Sequence, residues 1–354
     1  MIAGRDDDLI PLSEPHLGGR EWDYLKECLD TGWVSSAGRF VDDFEARMAE
    51  EIGAEHAVST VNGTAALHVA LLAAGVGMDD EVLCPALTFI APANAVRYVG
   101  AWPVFVDAEP ATWQMDPGLV AEFLSEKCEK CEKRGGDLVN KATRRRVAAI
   151  LPVHILGHPV DMDPICAAAA EHGLAVIEDA TESLGASYKG RKVGTLGRIS
   201  CFSFNGNKLI TSGGGGMIVT DDGELARRAR HLTTQARSAS DEYIHDEVGY
   251  NYRLTNIQAA LGLAQLERLD YHVAAKRRLA AAYRQMAGTV PGLDFMPEAD
   301  WAESVFWLST VLVDPDEFGM NCRRLRDALA DMGIQSRPLW QPMSRSAAHP
   351  GADF

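Results

Sequence analysis

The sequence predicts an α/β fold, with a large domain on a mainly parallel mixed sheet and a smaller α+β domain after it. Three observations predict it. Strand-like and helical patterns alternate from residue 40 to residue 177. Beyond Leu254 the chain turns strongly helical, which marks a boundary near residues 245–275. A chain of 354 residues is too long for one small core and fits one large domain plus a smaller one. The expected division is 1–250 for the large domain, including an N-terminal segment 1–35, and 251–354 for the small one.

Each element has a local reason. Residues 40–52 carry Phe40, Phe44, Met48 and Ile52 at helical spacing. Ala57-Val58-Ser59-Thr60 reads as a short strand, Asn62-Gly63-Thr64 breaks it, and residues 65–74 run as a buried helix. Residues 81–84 and 103–107 are further apolar strands, and 147–153 and 174–177 repeat the style around a helix over 162–172. Such βαβ units imply parallel strands covered on both faces. The segment 124–146 interrupts the pattern with a charged, helical-looking run around Cys128 and Cys131, then Gly135-Gly136 and Arg144-Arg145-Arg146. It reads as an exposed excursion. Its arginines are read as a solvated surface, with contact to an anionic ligand as the alternative. Helices are expected over 255–269 and 271–286.

Composition narrows the function. The 34 Lys and Arg against 50 Asp and Glu give a net charge of −16, while 47% hydrophobic and 24% charged residues are ordinary for a globular chain and exclude a disordered one. The acidic balance argues against nucleic acid but not against a small anionic substrate, because local donors override a distant net field. No apolar run approaches the roughly 18 residues of a membrane span, and the N-terminus lacks a secretion pattern. Seven scattered cysteines point to reduced thiols in a cytoplasm. Cys128 and Cys131 form a lone CxxC with no second pair nearby, so no metal is expected.

Four features ask for one ligand. Asn62-Gly63-Thr64-Ala65-Ala66 opens a helix after a strand, where free N–H groups and a hydroxyl suit a phosphate; an ordinary Thr cap is the alternative. Val176-Ile177-Glu178-Asp179 ends a strand in two carboxylates, at the edge where α/β sheets bind ligands, though an acid there also caps helices. Ser203-Phe204-Asn205-Gly206-Asn207-Lys208 precedes Gly213-Gly214-Gly215-Gly216. Desolvation there disfavours the charged amine and leaves Lys208 a nucleophile for a carbonyl, unless it is a surface Lys beside a flexible turn. In Asn251-Tyr252-Arg253, Asn251 and Arg253 share one side of an extended segment and suit anionic oxygens. A phosphate cradle, a strand-end acid 29 residues before a nucleophilic Lys, and that order specify pyridoxal 5′-phosphate.

With these motifs the sequence resembles the DegT/DnrJ/StrS family of pyridoxal phosphate-dependent sugar aminotransferases. The likeness runs from Pro15 through Thr31-Gly32-Trp33-Val34-Ser35-Ser36, Asn62-Gly63-Thr64-Ala65-Ala66-Leu67-His68, Pro85-Ala86-Leu87-Thr88-Phe89, Pro152-Val153-His154 and Glu178-Asp179-Ala180-Thr181-Glu182-Ser183 to Ser336-Arg337-Pro338. It implies an aspartate-aminotransferase-type (type I) fold, L-glutamate as amino donor, and a homodimer with shared active sites. It implies Lys208 as the Schiff-base residue and Asp179 at the pyridine nitrogen. Gly63, Thr64, Ala65 and Ser203 would hold the phosphate, Phe89 would stack on the ring, and Asn251 would reach the phosphate of the partner's cofactor. Arg253, Trp33 and His154 would meet the substrate.

Glu182 stands where many relatives have Gln or His, near the cofactor's ring oxygen. With Phe204-Asn205-Gly206-Asn207-Lys208 and the Cys-containing insertion, it resembles the subgroup that aminates C4 of nucleotide-linked 4-keto-6-deoxy-N-acetylhexosamines toward legionaminic acid and related glycans. Amination of another keto sugar, of 3-keto or perosamine type, is the alternative. Sugar dehydratases on this fold carry His in place of the lysine, so Lys208 favours transamination. A regulatory protein would have lost Lys208, Asp179 or the cradle, and a Rossmann dehydrogenase would need GxGxxG after its first strand. Relatives continue past Ser336-Arg337-Pro338, so the small domain is expected to lack its last strand and helix.

Overall fold

A computed structural model describes residues 9–238 and 242–349. The chain begins with α1 (Glu21–Thr31) and α2 (Arg39–Ile52), then β1 (His56–Thr60), α3 (Gly63–Ala73), β2 (Glu81–Pro85), α4 (Ala91–Tyr98), β3 (Trp102–Val106) and α5 (Pro117–Glu122). A hairpin of β4 (Cys128–Cys131) and β5 (Asp137–Asn140) follows. Next come β6 (Val147–Ile150), α6 (Met162–His172), β7 (Ala175–Asp179), the short β8 (Ser187–Tyr188) and β9 (Arg191–Lys192), β10 (Ile199–Ser203), β11 (Gly216–Thr220) and α7 (Gly223–Thr233). The last third holds α8 (Asn256–Leu266), α9 (Leu269–Ala287), β12 (Leu293–Phe295), β13 (Ala302–Glu303), β14 (Val311–Val313), α10 (Pro315–Phe318) and α11 (Cys322–Asp331).

The main sheet has the order β1-β11-β10-β7-β6-β2-β3. β11 runs antiparallel to both its neighbours, and the remaining neighbours in the sheet pair in parallel. Six carboxyl ends therefore share one edge. α3 is apolar all round and buried against β10 and β11, as a helix enclosed on every side must be. α8 opens with a capping box between Thr255 and Gln258 and packs on α1 and α2. β13 pairs with β8, so the last third of the chain reaches back to the middle. Among the described residues, no helix is long and apolar enough to cross a membrane.

The excursion differs from its expectation. The run around Cys128 is a strand, with Cys128 facing the core beside Leu124 and Leu138 while Glu129 and Lys130 are exposed. Residues three apart on a strand face opposite sides, so the two cysteines do not form a ligand pair. The three arginines are tied to acids: Arg144 to Glu129, Arg145 toward the buried Glu81 at 3.9 Å, and Arg146 to Asp80 through Nε and NH2 at 2.9 and 2.6 Å.

Candidate active site

The carboxyl ends of β1, β7 and β10 bring the sequence motifs together. Register places Cys201 beside Asp179, and both Thr60 and Ser203 beside Gly216. Past β10 the chain folds back, with Phe204 N–H donating to Gly215 and Ser212 N–H to Phe204, and Lys208 sits on the enclosed turn. The glycines that permit this serve the chain itself. A Cβ on Gly216 would lie 2.6 Å from the Asn62 carbonyl, and Gly213 and Gly215 adopt positive φ of 77° and 139°.

Lys208 is the centre of the cluster. Its side chain is 14% exposed, and Nζ lies 3.4 Å from Glu182 Oε1 and 4.1 Å from the centroid of the Trp307 ring. Glu182 is buried, and its Oε2 accepts from Leu156 N at 2.8 Å. Burial pushes its carboxyl above the ordinary range, a shift that Lys208 and the Leu156 N–H oppose. Asp179 is 1% exposed and accepts from Thr181 N at 3.0 Å. Burial raises it too, against the Thr181 hydrogen bonds and the charge of Lys208. Trp307 has no sequence signal: it stands 99 positions after Lys208, within an ordinary apolar run.

The neighbouring acid has another role. Glu178 accepts from Leu196 N and Gly197 N at 3.0 and 2.9 Å, from Ser200 Oγ at 3.0 Å and from Gly194 N. His154 lies 3.0 Å away through Nε2, while its Nδ1 accepts from Val160 N. His154, expected at the substrate, is placed here beside Glu178. The residue is wholly buried, and both ring nitrogens are used inside the protein. Burial alone would raise Glu178, but the hydrogen bonds from His154, Gly194 and Gly197 hold it below its ordinary value. Its stabilisation is complete above the unfolded-state value near 4.5 and is lost as pH falls through the lower folded-state value. Glu178→Ala is expected to cost about 3–5 kcal/mol, read by urea unfolding at neutral pH, because buried donors lose their acceptor.

The cradle lies at the start of α3. Asn62, not Thr64, caps the helix: its side chain takes the Ala65 N–H at 2.8 Å, and its carbonyl takes the Ala66 N–H. Gly63 and Thr64 remain at the open helix end with their N–H groups outside the helical ladder. A Cβ on Gly63 would lie 2.8 Å from Ser203 Cβ and 3.2 Å from Thr181 Cγ2, so only glycine lets these three segments meet. Gly63→Ala is expected to cost about 1–3 kcal/mol of stability and to weaken cofactor binding, which thermal unfolding and a cofactor titration would register together.

These residues fit pyridoxal phosphate. A helix end, Ser203 and a glycine-only approach suit its phosphate, a lysine suits its aldehyde, and two buried carboxyls suit its ring. Two buried hydroxyls past strand ends, Thr88 after β2 and Ser183 beside Glu182, have no hydrogen-bond partner in the protein, as expected where a polar guest is accommodated.

The remaining expected residues have the following surroundings. Phe89 is 52% exposed and meets Trp340 edge to face at 6.3 Å. Trp33 is 59% exposed, and its carbonyl accepts from Asn256 Nδ2 at 2.7 Å. Asn251 and Arg253 line a cavity of about 550 Å³ with Arg237, His245, Tyr243 and Ser36, and Lys208 is not among its walls. Arg253 donates from Nε to the Ser36 carbonyl at 3.0 Å.

Comparison with known proteins supplies the lineage. Residues 15–351 match the DegT/DnrJ/EryC1/StrS aminotransferase family. The GDP-perosamine synthase of Caulobacter vibrioides is 44% identical over 94% of this chain and 85% of that protein. EpsN of Bacillus subtilis, whose name describes a pyridoxal phosphate-dependent aminotransferase, is 41% identical over 94% of this chain and 82% of its own. The crystal structure of DesI in the presence of its TDP-sugar product superposes with a TM-score of 0.85 at 30% identity, over 98% of this chain and 83% of that one. The chain therefore belongs to the DegT/DnrJ/EryC1/StrS aminotransferase family and is a pyridoxal phosphate-dependent α/β aminotransferase.

Proposed function

We propose that the enzyme moves the amino group of L-glutamate to the C4 keto carbon of a nucleotide-linked 4-keto-6-deoxyhexose, for a surface glycan. The observation that carries the chemistry is Lys208 Nζ held between the Glu182 carboxylate and the Trp307 ring, with Asp179 buried nearby. Pyridoxal phosphate, when bound, supplies the electron sink through which an amino group passes from donor to acceptor. Lys208 Nζ takes the donor's Cα proton and returns it, first as base and then as acid. Asp179 would pair with the ring nitrogen, and Glu182, fixed by the Leu156 N–H, meets Lys208 Nζ at 3.4 Å. Gly63, Thr64 and Ser203 would hold the phosphate.

Likeness to a GDP-perosamine synthase favours a GDP-linked sugar with a free 2-hydroxyl, because perosamine is a 4-amino-4,6-dideoxyhexose. The second reading, an N-acetylhexosamine on the way to legionaminic acid, draws on Glu182 and its neighbours. Both put the new amine on C4. The acidic chain must still admit a nucleotide diphosphate. We place that charge near Arg237 and Arg253, which share the cavity with Asn251, in a homodimer whose partner subunit completes each site.

Purified protein incubated with glutamate and a panel of GDP-, UDP- and TDP-linked 4-keto sugars tests this through release of 2-oxoglutarate. Turnover of the GDP-linked 4-keto-6-deoxyhexose is expected. Turnover confined to UDP-linked N-acetylated sugars would transfer the assignment to the second reading, and no turnover with any of them would remove both. Sedimentation as a fully active monomer would overturn the shared site.

A further inference from the structure

We infer that Trp307 is a positioning residue for Lys208: its indole face steers Nζ into the site, and its N–H fixes the turn that carries the lysine. The inference rests on Lys208 as the cofactor-binding lysine. Trp307 is 3% exposed. Its Nε1–H donates to the carbonyl of Asn207, the residue before Lys208, at 2.7 Å, while Nζ lies over the ring. One side chain thus grips both ends of the lysine. An unrestrained Lys has four rotatable bonds and a large rotamer entropy to lose, so a wall that preselects its direction shortens the search for the reacting geometry.

The wall is itself rigid. Phe306 sits at a φ of 47°. Val305 N and Ser304 Oγ both donate to Gly157 O at 3.0 Å, and Phe306 N donates to Ser304 Oγ at 3.0 Å. A Cβ on Gly157 would lie 2.9 Å from Trp307 N, so the two segments meet only because glycine stands there. The preceding residue, Leu156, donates the N–H that holds Glu182. The stretch around Gly157 therefore supports both the carboxylate and the indole that meet Nζ.

The test uses holoenzyme of Trp307→Leu and Trp307→Phe with two readouts: the pH midpoint of the cofactor's absorbance change, and the single-turnover rate with glutamate. Charged groups acting on Nζ are Glu182 and Asp179, which both variants keep. A ring face favours the charged nitrogen, so Trp307→Leu is expected to lower the midpoint by about half a unit to one and a half units. The same change slows single turnover by about tenfold or more. Trp307→Phe restores the midpoint, because a ring is back. A core-filling role alone would change thermal stability and leave the midpoint in place. An unchanged midpoint and rate in Trp307→Leu overturns the inference; if the leucine variant does not fold, an unchanged midpoint and rate in Trp307→Met overturns it instead. Lys208→Ala, run in parallel, separates the two ideas: if it keeps the pH-dependent band, the assignment of Lys208 fails, whereas an unaltered Trp307→Leu alone removes only the role of Trp307.

Discussion

Lys208→Ala is expected to abolish transamination and to leave pyridoxal phosphate without its covalent attachment. The absorbance band near 400–430 nm, the order expected of a lysine-linked cofactor, should vanish from the purified protein. The rate should fall by about 10²–10⁴ from lost proton transfer alone, and further because no other amine is at hand. Among the described residues, no other lysine is placed against Glu182, and the Trp307 ring has no second lysine over it. Added methylamine, a small external base, should return part of the activity. Retention of the band would sink the assignment.

Asp179→Asn has the next largest expected effect. Asp179 is a fully buried acid at the end of β7, where burial raises it and Lys208 and the Thr181 hydrogen bonds oppose that rise. An amide of the same shape keeps the packing but offers no charge to a protonated ring nitrogen. The rate should fall by about 10²–10³, the scale of one preorganised electrostatic partner in a dry site. Cofactor affinity should weaken with it, while thermal stability without cofactor should hold or rise, because a buried carboxyl has been made neutral. Full activity in Asp179→Asn would assign the ring nitrogen to another group.

Much of this architecture is legible in the sequence, for physical reasons that can be named. The helix Met162–His172 stands where its periodicity puts it, and the strands at 56–60, 81–85, 102–106 and 175–179 shift by one or two residues at their ends. Strand-end placement is also why Lys208, Asp179, Glu182, Gly63 and Ser203 stand out: each follows or ends a strand of one sheet. Cys128–Cys131 is illegible because Lys and Glu favour helices, whereas the strand is decided by pairing with Asp137–Asn140 across the turn at Gly135-Gly136. His154 reads as ligand-facing because it is a polar residue past a strand end, whereas its bond to Glu178 depends on how the fold brings two strands together. The glycine loop reads as room for a ligand, whereas Gly215 and Gly216 make room for Ser212 and Asn62. Trp307 lies beyond local reasoning, since its approach to Lys208 depends on how the last third of the chain returns to the sheet.

Glu178 and Asp179 are adjacent on β7, so the pleat sends them to opposite faces. One acid gathers the amides of residues 194–197 into a scaffold, and the other is left for chemistry. The division of labour is encoded in parity, not in residue type, for both are carboxylates. A one-residue slip of β7 against β10 would exchange them, offering the cofactor a longer acid and the scaffold a shorter one. The pairing of Ile177 with Ile199 and of Asp179 with Cys201 thus decides in backbone hydrogen bonds which acid faces which side of the sheet. The same logic forbids an insertion or deletion in this strand, even one that keeps both acids.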